Sequence, residues 1–190
     1  MRMRTIFVTG TDTGVGKTQV VAALARLLTG TGVRVQIVKA VETGNPTQGD
    51  AARARAMAGV EAEVFTLASF AAPLAPLAAA AGEGRTFSLE TMTTALRALP
   101  TCDWRIVEGA GGIAVPVDAD GRDWADFASV IGAERVVLVV ADRLGAINRG
   151  RLAQAYGEQR GLRGGLWLNA VAPVEPRIAA WNGAGLLSAG

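Results

Sequence analysis

Thr5-Ile6-Phe7-Val8-Thr9-Gly10-Thr11-Asp12-Thr13-Gly14-Val15-Gly16-Lys17-Thr18 carries the fold in its first half and the chemistry in its second. Thr5–Thr9 is a short β-branched and apolar run, the pattern of a buried strand. From Thr18 to Thr29 the apolar residues Val20, Val21, Leu24, Leu27 and Leu28 fall at helical spacing, and Gly30 and Gly32 stop that helix. A Gly-rich loop therefore turns a strand into a helix. Its glycines let backbone N–H groups converge on phosphate oxygens at the positive end of the helix. Lys17 reaches the β- and γ-phosphates, and Thr18 offers a hydroxyl to magnesium. Five residues, where the common pattern has four, separate Gly10 from Gly16. The bland alternative is an ordinary Gly-rich corner, but Gly-Lys-Thr in this setting favours a phosphate loop that binds ATP with Mg2+. Thr13, Gly14, Val15, Gly16, Lys17 and Thr18 are its nucleotide-binding candidates.

Outward from the loop, short apolar runs alternate with helical patterns. Val33 to Val38 reads as a second strand ending at Lys39, followed by strand candidates Trp104–Val107, Arg135–Val140 and Gly165–Leu168 and a helix from Asn148 to about Gln159. Near-continuous apolar strands separated by helices predict an α/β fold of the P-loop NTPase-like kind, a mostly parallel sheet with helices on both faces. No repeat or linker divides the chain, which reads as one domain over 1–190. Two segments resist this scheme. Ala71 to Ala81 reads as a loop turning into a helix near Pro76. The tail, 171–190, has little periodicity from Pro173 onward and is expected to be short and loosely held.

Composition narrows the chemistry further. Of 190 residues half are apolar and 19% charged, with a net charge of +2 and no basic run, so neither a disordered chain nor a nucleic-acid tract is indicated. No stretch reaches the roughly 18 apolar residues of a membrane span. Met1-Arg2-Met3-Arg4 leads into a strand without a cleavable signal pattern, and the single Cys102 suits a reducing compartment, so a cytoplasmic location is expected. The absence of histidine excludes His general bases, Ser-His triads and His-ligated zinc. Catalysis must run on Lys, Asp, Glu, Thr, backbone amides and a bound ion.

The loop Gly-Thr-Asp-Thr-x-Val-Gly-Lys-Thr resembles that of the dethiobiotin synthetases. Val38-Lys39-Ala40-Val41-Glu42-Thr43-Gly44 is similar to that family's Lys-Pro-Val-x-Ser/Thr-Gly, and Gly49-Asp50-Ala51 to its Asp-Ala helix start. Val107-Glu108-Gly109-Ala110-Gly111-Gly112 followed by Val115-Pro116 resembles its Glu-Gly-Ala-Gly-Gly loop. Leu144-Gly145-Ala146-Ile147-Asn148 and Trp167-Leu168-Asn169 resemble two later stretches in the same order. The departures are Ala40 in place of Pro, Pro76-Leu77-Ala78-Ala79-Ala80 without the family's His, and a shorter tail lacking most of an adenine-covering segment.

The resemblance implies an ATP-dependent cyclo-ligase. One amine of 7,8-diaminopelargonate takes up CO2, drawn from bicarbonate, as a carbamate. The carbamate attacks the γ-phosphorus of ATP, and the second amine closes the cyclic urea, releasing ADP and phosphate. Such steps gather negative charge, so cations and N–H donors are the main need. Lys39, Lys17 and Thr13 are the catalytic candidates, and Thr18, Asp50 and Glu108 the magnesium candidates. Asp50, Glu108, Gly109, Ala110, Gly111 and Asn169 join the nucleotide site, with Asn169 at the adenine edge. Thr43 is expected on the carbamate, while Leu144, Gly145, Ile147 and Asn148 take the substrate carboxylate from the neighbouring subunit of a homodimer with shared sites. Simpler roles stand beside these: a surface lysine for Lys39, a turn hydroxyl for Thr43, helix N-caps for Asp50 and Asn148, a structural ion pair for Glu108, tight turns for Gly109, Gly111 and Gly112, and a turn for Asn169. Asp12 reads as turn-forming or solvent-facing, and Trp181 as a packing residue before a substrate cover. Two other enzyme or switch classes compete. A cobyrinate-type amidating synthase needs a glutaminase partner that Cys102, without a His, does not supply. A ParA/MinD-like switch carries a lysine where this chain has Asp12.

Overall fold

A computed structural model describes residues 3–44 and 47–187. Met1 and Arg2, and the last three residues of the expected tail, 188–190, lie outside the described residues. In chain order the elements are β1 (Arg4–Gly10), α1 (Lys17–Thr29), β2 (Val35–Lys39), β3 (Glu42–Thr43), α2 (Asp50–Ala58), β4 (Glu63–Thr66), β5 (Ser69–Phe70), α3 (Pro76–Gly82), α4 (Leu89–Arg97), β6 (Trp104–Gly112), α5 (Trp124–Val130), β7 (Arg135–Ala141), α6 (Ala146–Gln159), β8 (Gly164–Asn169) and α7 (Pro176–Leu187). Six strands form one sheet in the order β4-β2-β6-β1-β7-β8, every neighbouring pair parallel, while β3 and β5 pair separately.

Period-2 alternation sends the strands' apolar residues into two cores, as a parallel sheet covered on both sides requires. Phe7, Val38, Val107 and Leu138 face one side, packed with Trp124 and Phe127 of α5 and Leu89, Met92 and Leu96 of α4. Ile6, Val8, Ile37, Ile106 and Val139 face the other, against Val20, Val21 and Ala25 of α1 and Ala51, Ala54 and Ala58 of α2. The aromatic cluster of Phe7, Trp124 and Phe127 has ring centroids 5.6–5.9 Å apart. Strand β1 lies between β6 and β7, so the phosphate loop leaves the carboxyl edge at the middle of the sheet, where open α/β sheets place ligands.

The predicted strands and first helix are present, most with bounds shifted by a residue or two, while the strand predicted over Trp104–Val107 runs on to Gly112 as β6, and a helix starts at Pro76 as expected. Three local expectations change. Asp50 is the first residue of α2, not its N-cap, which is Gly49. Asn148 is the third residue of α6, whose N-cap is Gly145 at φ 89°. The tail, whose sequence shows little periodicity, is helical over Pro176–Leu187. Helix α7 docks on α6, burying Asn182 and Leu186, with Asn182 Nδ2 donating to Asp142 Oδ1 at 2.7 Å and to Arg143 O at 3.1 Å. One glycine from each helix serves the contact: a Cβ on Gly185 would stand 2.6 Å from Ile147, and one on Gly150 of α6 2.7 Å from Leu186. Trp181 is 73% exposed on this helix, outside the core.

Candidate nucleotide and substrate site

The loop between β1 and α1 closes at Gly16, whose φ of 85° suits glycine. A side chain there would also collide with Asn169, since an added Cβ would stand 2.1 Å from its Nδ2. Val15 turns inward and is buried in the α1 core, leaving its backbone to the loop. Lys17 is buried, and its Nζ donates to Asp12 O and Gly111 O at 3.0 Å each, tying the loop to the end of β6. Burial, reinforced by the nearby Lys39 ammonium, lowers Lys17 to about 8.

Sheet register builds the rest. In the β2–β6 pairing Lys39 stands opposite Glu108, and Val8 opposite Glu108 on the other side. Val38 and Val107, one residue earlier, face the aromatic core, so Lys39 and Glu108 both face α1 and α2. Lys39 Nζ sits 2.6 Å from Glu108 Oε1, 2.7 Å from Asp50 Oδ2 and 3.2 Å from Gly109 O. Lys39 is therefore no surface lysine; it is 4% exposed. Burial works against its charge, but Glu108 and Asp50 outweigh burial and hold it above its ordinary value. Asp50 is half-buried; desolvation is overcome by the same ammonium, which holds its carboxyl below the usual range. Burial raises the Glu108 carboxyl, with Lys39 opposing.

Thr18 Oγ1 donates to Glu108 Oε1 at 3.2 Å, while Glu108 Oε2 is buried with no hydrogen-bond partner among the described residues. A carboxylate oxygen left bare in a buried place is costly without a cation. Glu108, Asp50 and the Thr18 hydroxyl form the all-oxygen set that a hard divalent ion takes together with phosphate oxygens and water. The residues present fit magnesium.

These groups open onto a cleft of about 760 Å³. Its polar floor includes Thr13, Gly14, Gly16, Lys17, Thr18, Lys39, Asp50, Glu108, Ala110 and Gly111, and Thr43 lies on its wall. Its apolar lining includes Val41, Met57, Pro73, Leu74, Pro76 and Val115. Gly109 lies outside the cleft lining: a Cβ there would stand 3.0 Å from Phe7 and 3.3 Å from Trp124, while its carbonyl accepts from Lys39 Nζ. Asn169 ends β8 behind the loop, its Nδ2 donating to Val15 O at 3.0 Å and Gln19 Oε1 at 2.8 Å. Leu144, Gly145 and Asn148 are exposed at the start of α6, and with Ile147 they lie outside the cleft lining. Glu42, Arg53 and the Pro73–Pro76 wall also line the cleft, and sequence reading passed them over. A carboxylate in the motif directly after Lys39 was the signal available for Glu42.

The AAA domain family matches residues 4–166. The ATP-dependent dethiobiotin synthetase BioD of Anaeromyxobacter dehalogenans is 42% identical over 188 residues, covering 96% of this chain and 83% of that protein. That of Parafrankia is 40% identical over 187 residues, covering 94% and 76%, and that of Mycobacteroides abscessus 39% over 180 residues, covering 93% and 78%. Among solved structures, the kinase domain of the Escherichia coli tyrosine kinase ETK superposes with a TM-score of 0.52 at 18% identity, over 90% of this chain and 68% of that one. The signal recognition particle 54 kDa protein of Aeropyrum pernix, in complex with GDP, gives 0.54 at 16% identity, over 100% and 40%. Identities this low speak for the shared α/β P-loop NTPase fold alone.

Proposed function

Because the chain belongs to the ATP-dependent dethiobiotin synthetase family, we propose that the Lys17–Lys39–Asp50–Glu108 constellation is the place where it closes the cyclic urea. The enzyme is an ATP-dependent cyclo-ligase that makes dethiobiotin from 7,8-diaminopelargonate and CO2. The observation that carries the site assignment is the Lys39 ammonium, buried between Glu108 and Asp50 beside the phosphate loop.

The loop amides and Lys17 hold the β- and γ-phosphates, Lys17 exchanging the Asp12 and Gly111 carbonyls for phosphate oxygens. Thr18, Asp50 and Glu108 would hold Mg2+, which when bound offsets charge on the triphosphate. Lys39 supplies a fixed positive charge between carbamate and γ-phosphate as negative charge gathers there. A preorganised cation needs no reorganisation as the reaction proceeds. Thr43 and Thr13, which both line the cleft, donate hydroxyl hydrogen bonds to carbamate and phosphate respectively. The apolar wall from Met57 to Val115 receives the alkyl chain of the substrate.

The exposed start of α6 then takes the substrate carboxylate of a neighbouring subunit. This accounts for Leu144, Gly145 and Asn148 standing exposed, away from their own cleft. We read the chain as a single domain, since both cores share one sheet, acting as a homodimer in the cytoplasm. No helix among the described residues is long and apolar enough to cross a membrane.

Incubation with diaminopelargonate, bicarbonate and Mg-ATP, with mass-spectrometric detection of dethiobiotin and coupled detection of ADP, tests the reading. Product formation that depends on all three substrates is expected. ATP hydrolysis indifferent to diaminopelargonate would overturn it.

A further inference from the structure

Helix α2 starts without a cap of its own. Its N-cap is Gly49, in extended conformation, with no side-chain hydrogen bond. The backbone N–H of Asp50 donates instead to Glu42 Oε1, a carboxylate delivered from β3. Glu42 is 8% exposed and makes no ion pair among the described residues. Thr66 Oγ1 donates to its Oε2 at 3.5 Å, and its own N–H donates to Ala68 O at 2.9 Å, so β3–β5 pairing fixes where the side chain starts. A Cβ at Gly49 would stand 2.8 Å from Glu42 Oε2 and 3.1 Å from Oε1. The glycine leaves the space that the carboxylate fills.

We propose that Glu42 is the positioning residue for Asp50: it substitutes from the preceding strand for the missing cap of α2 and fixes the helix's first turn so that Asp50 meets Lys39 and the nucleotide's ion. An anionic oxygen on a first-turn amide also suits the positive end of the helix. The inference rests on the reading that Asp50 serves that ion.

Two readouts test it in the full-length protein. The first is hydrogen–deuterium exchange of residues 50–53 without nucleotide; the second is the Mg2+ concentration giving half-maximal activity. Glu42→Ala should raise both about fivefold, the scale of one lost cap, leaving protection of β1 and β6 unchanged. Glu42→Gln, which keeps an acceptor oxygen, should stay near wild type. Gly49→Ala, which pushes the Glu42 carboxylate aside and offers no acceptor, should behave like Glu42→Ala. Gly49→Ser placed in the Glu42→Ala background supplies a local cap in the vacated space and should restore both readouts. Wild-type exchange at 50–53 in Glu42→Ala, or failure of the serine to restore it, would overturn the proposal. Asp50→Asn separates the two readings. If it leaves the Mg2+ dependence unchanged, the role of Asp50 falls, while the exchange data still decide that of Glu42.

Discussion

Lys17 is held at about 8 by burial and by Lys39, well below an ordinary lysine at 10.5, and this makes nucleotide binding a proton-coupled event. A triphosphate drawn against Nζ restores the ammonium, so binding takes up whatever proton the free enzyme has lost. From that value the free side chain is neutral in about a tenth of molecules at pH 7, half at pH 8 and nine tenths at pH 9. Proton uptake should therefore climb from roughly 0.1 to 0.9 across those two pH units, and affinity should fall about tenfold between the same limits. Lys39 does not contribute, because its two carboxylates hold it above its ordinary value. Nor does the nucleotide, since a phosphate's second ionisation lies near ~6. Calorimetric titration with Mg2+ and a non-hydrolysable ATP analogue, in two buffers of different ionisation enthalpy, gives the uptake directly. Lys17→Arg, whose guanidinium stays charged throughout, should abolish it. Uptake below about 0.1 proton at pH 9, or equal uptake in Lys17→Arg, would refute a depressed Lys17. The same linkage sets the sign for stability. Between about 8 and 10.5 the unfolded chain holds a proton that the native state has released, so the free protein gains stability as pH rises through that window.

Lys39→Ala should lower turnover by about 10²–10³, the scale of one preorganised donor, and also lower the melting temperature, because Glu108 is left buried without its ammonium. Lys39→Met with Glu108→Gln should recover the melting temperature in scanning calorimetry but not the turnover; recovery of turnover would remove Lys39 from the chemistry. Asn148→Ala should raise KM for diaminopelargonate more than for ATP. Equal mixtures of subunit-exchanged Asn148→Ala and Lys39→Ala should regain about a quarter of wild-type activity through hybrid sites of a two-fold dimer, and no recovery would speak against shared sites. Both hydrogens of the Asn169 amide are engaged by Val15 and Gln19, leaving Oδ1 as its acceptor toward a base. The enzyme should accordingly tolerate other nucleoside triphosphates, and a kcat/KM preference for ATP over CTP and GTP above about 10⁴-fold would show a dedicated base pocket.

The parts of the fold that were legible before the structure are those where one strong local rule acts. The β1 apolar run, the glycine-lysine-threonine turn and the start of the α1 periodicity stand within a few residues of one another, and Lys39 follows directly on the apolar run of β2. What stayed hidden depends on partners distant in sequence. Glu63–Thr66 is a strand only because it pairs with β2, and its pattern alone is too short to say so. Helix α7 carries alanines and glycines that read as looseness, whereas Gly185 and Gly150 bring two helices into close contact. The alternative roles of Asp50 and Asn148 as N-caps fail by one and three residues because glycines, which lack a capping side chain, occupy the true positions. Glu42 escaped notice for a similar reason: nothing local tells that a residue on β3 closes the start of α2.

The facing of Lys39 and Glu108 across β2 and β6 also bears on how the chain polices its own folding. Sliding β2 by one residue would rotate every side chain on it to the opposite face, driving the Lys39 ammonium among Phe7, Trp124 and Phe127 and stranding Glu108 on the other side. Lys39 would then be buried without a counterion, a penalty of several kcal/mol, and Glu108 would lose the ammonium it pairs with. A misaligned sheet is thus not a quiet, inactive by-product but an unstable one. The ion pair that serves the reaction doubles as a checkpoint on strand alignment, so molecules that survive as folded protein are those in which the catalytic charges already face each other.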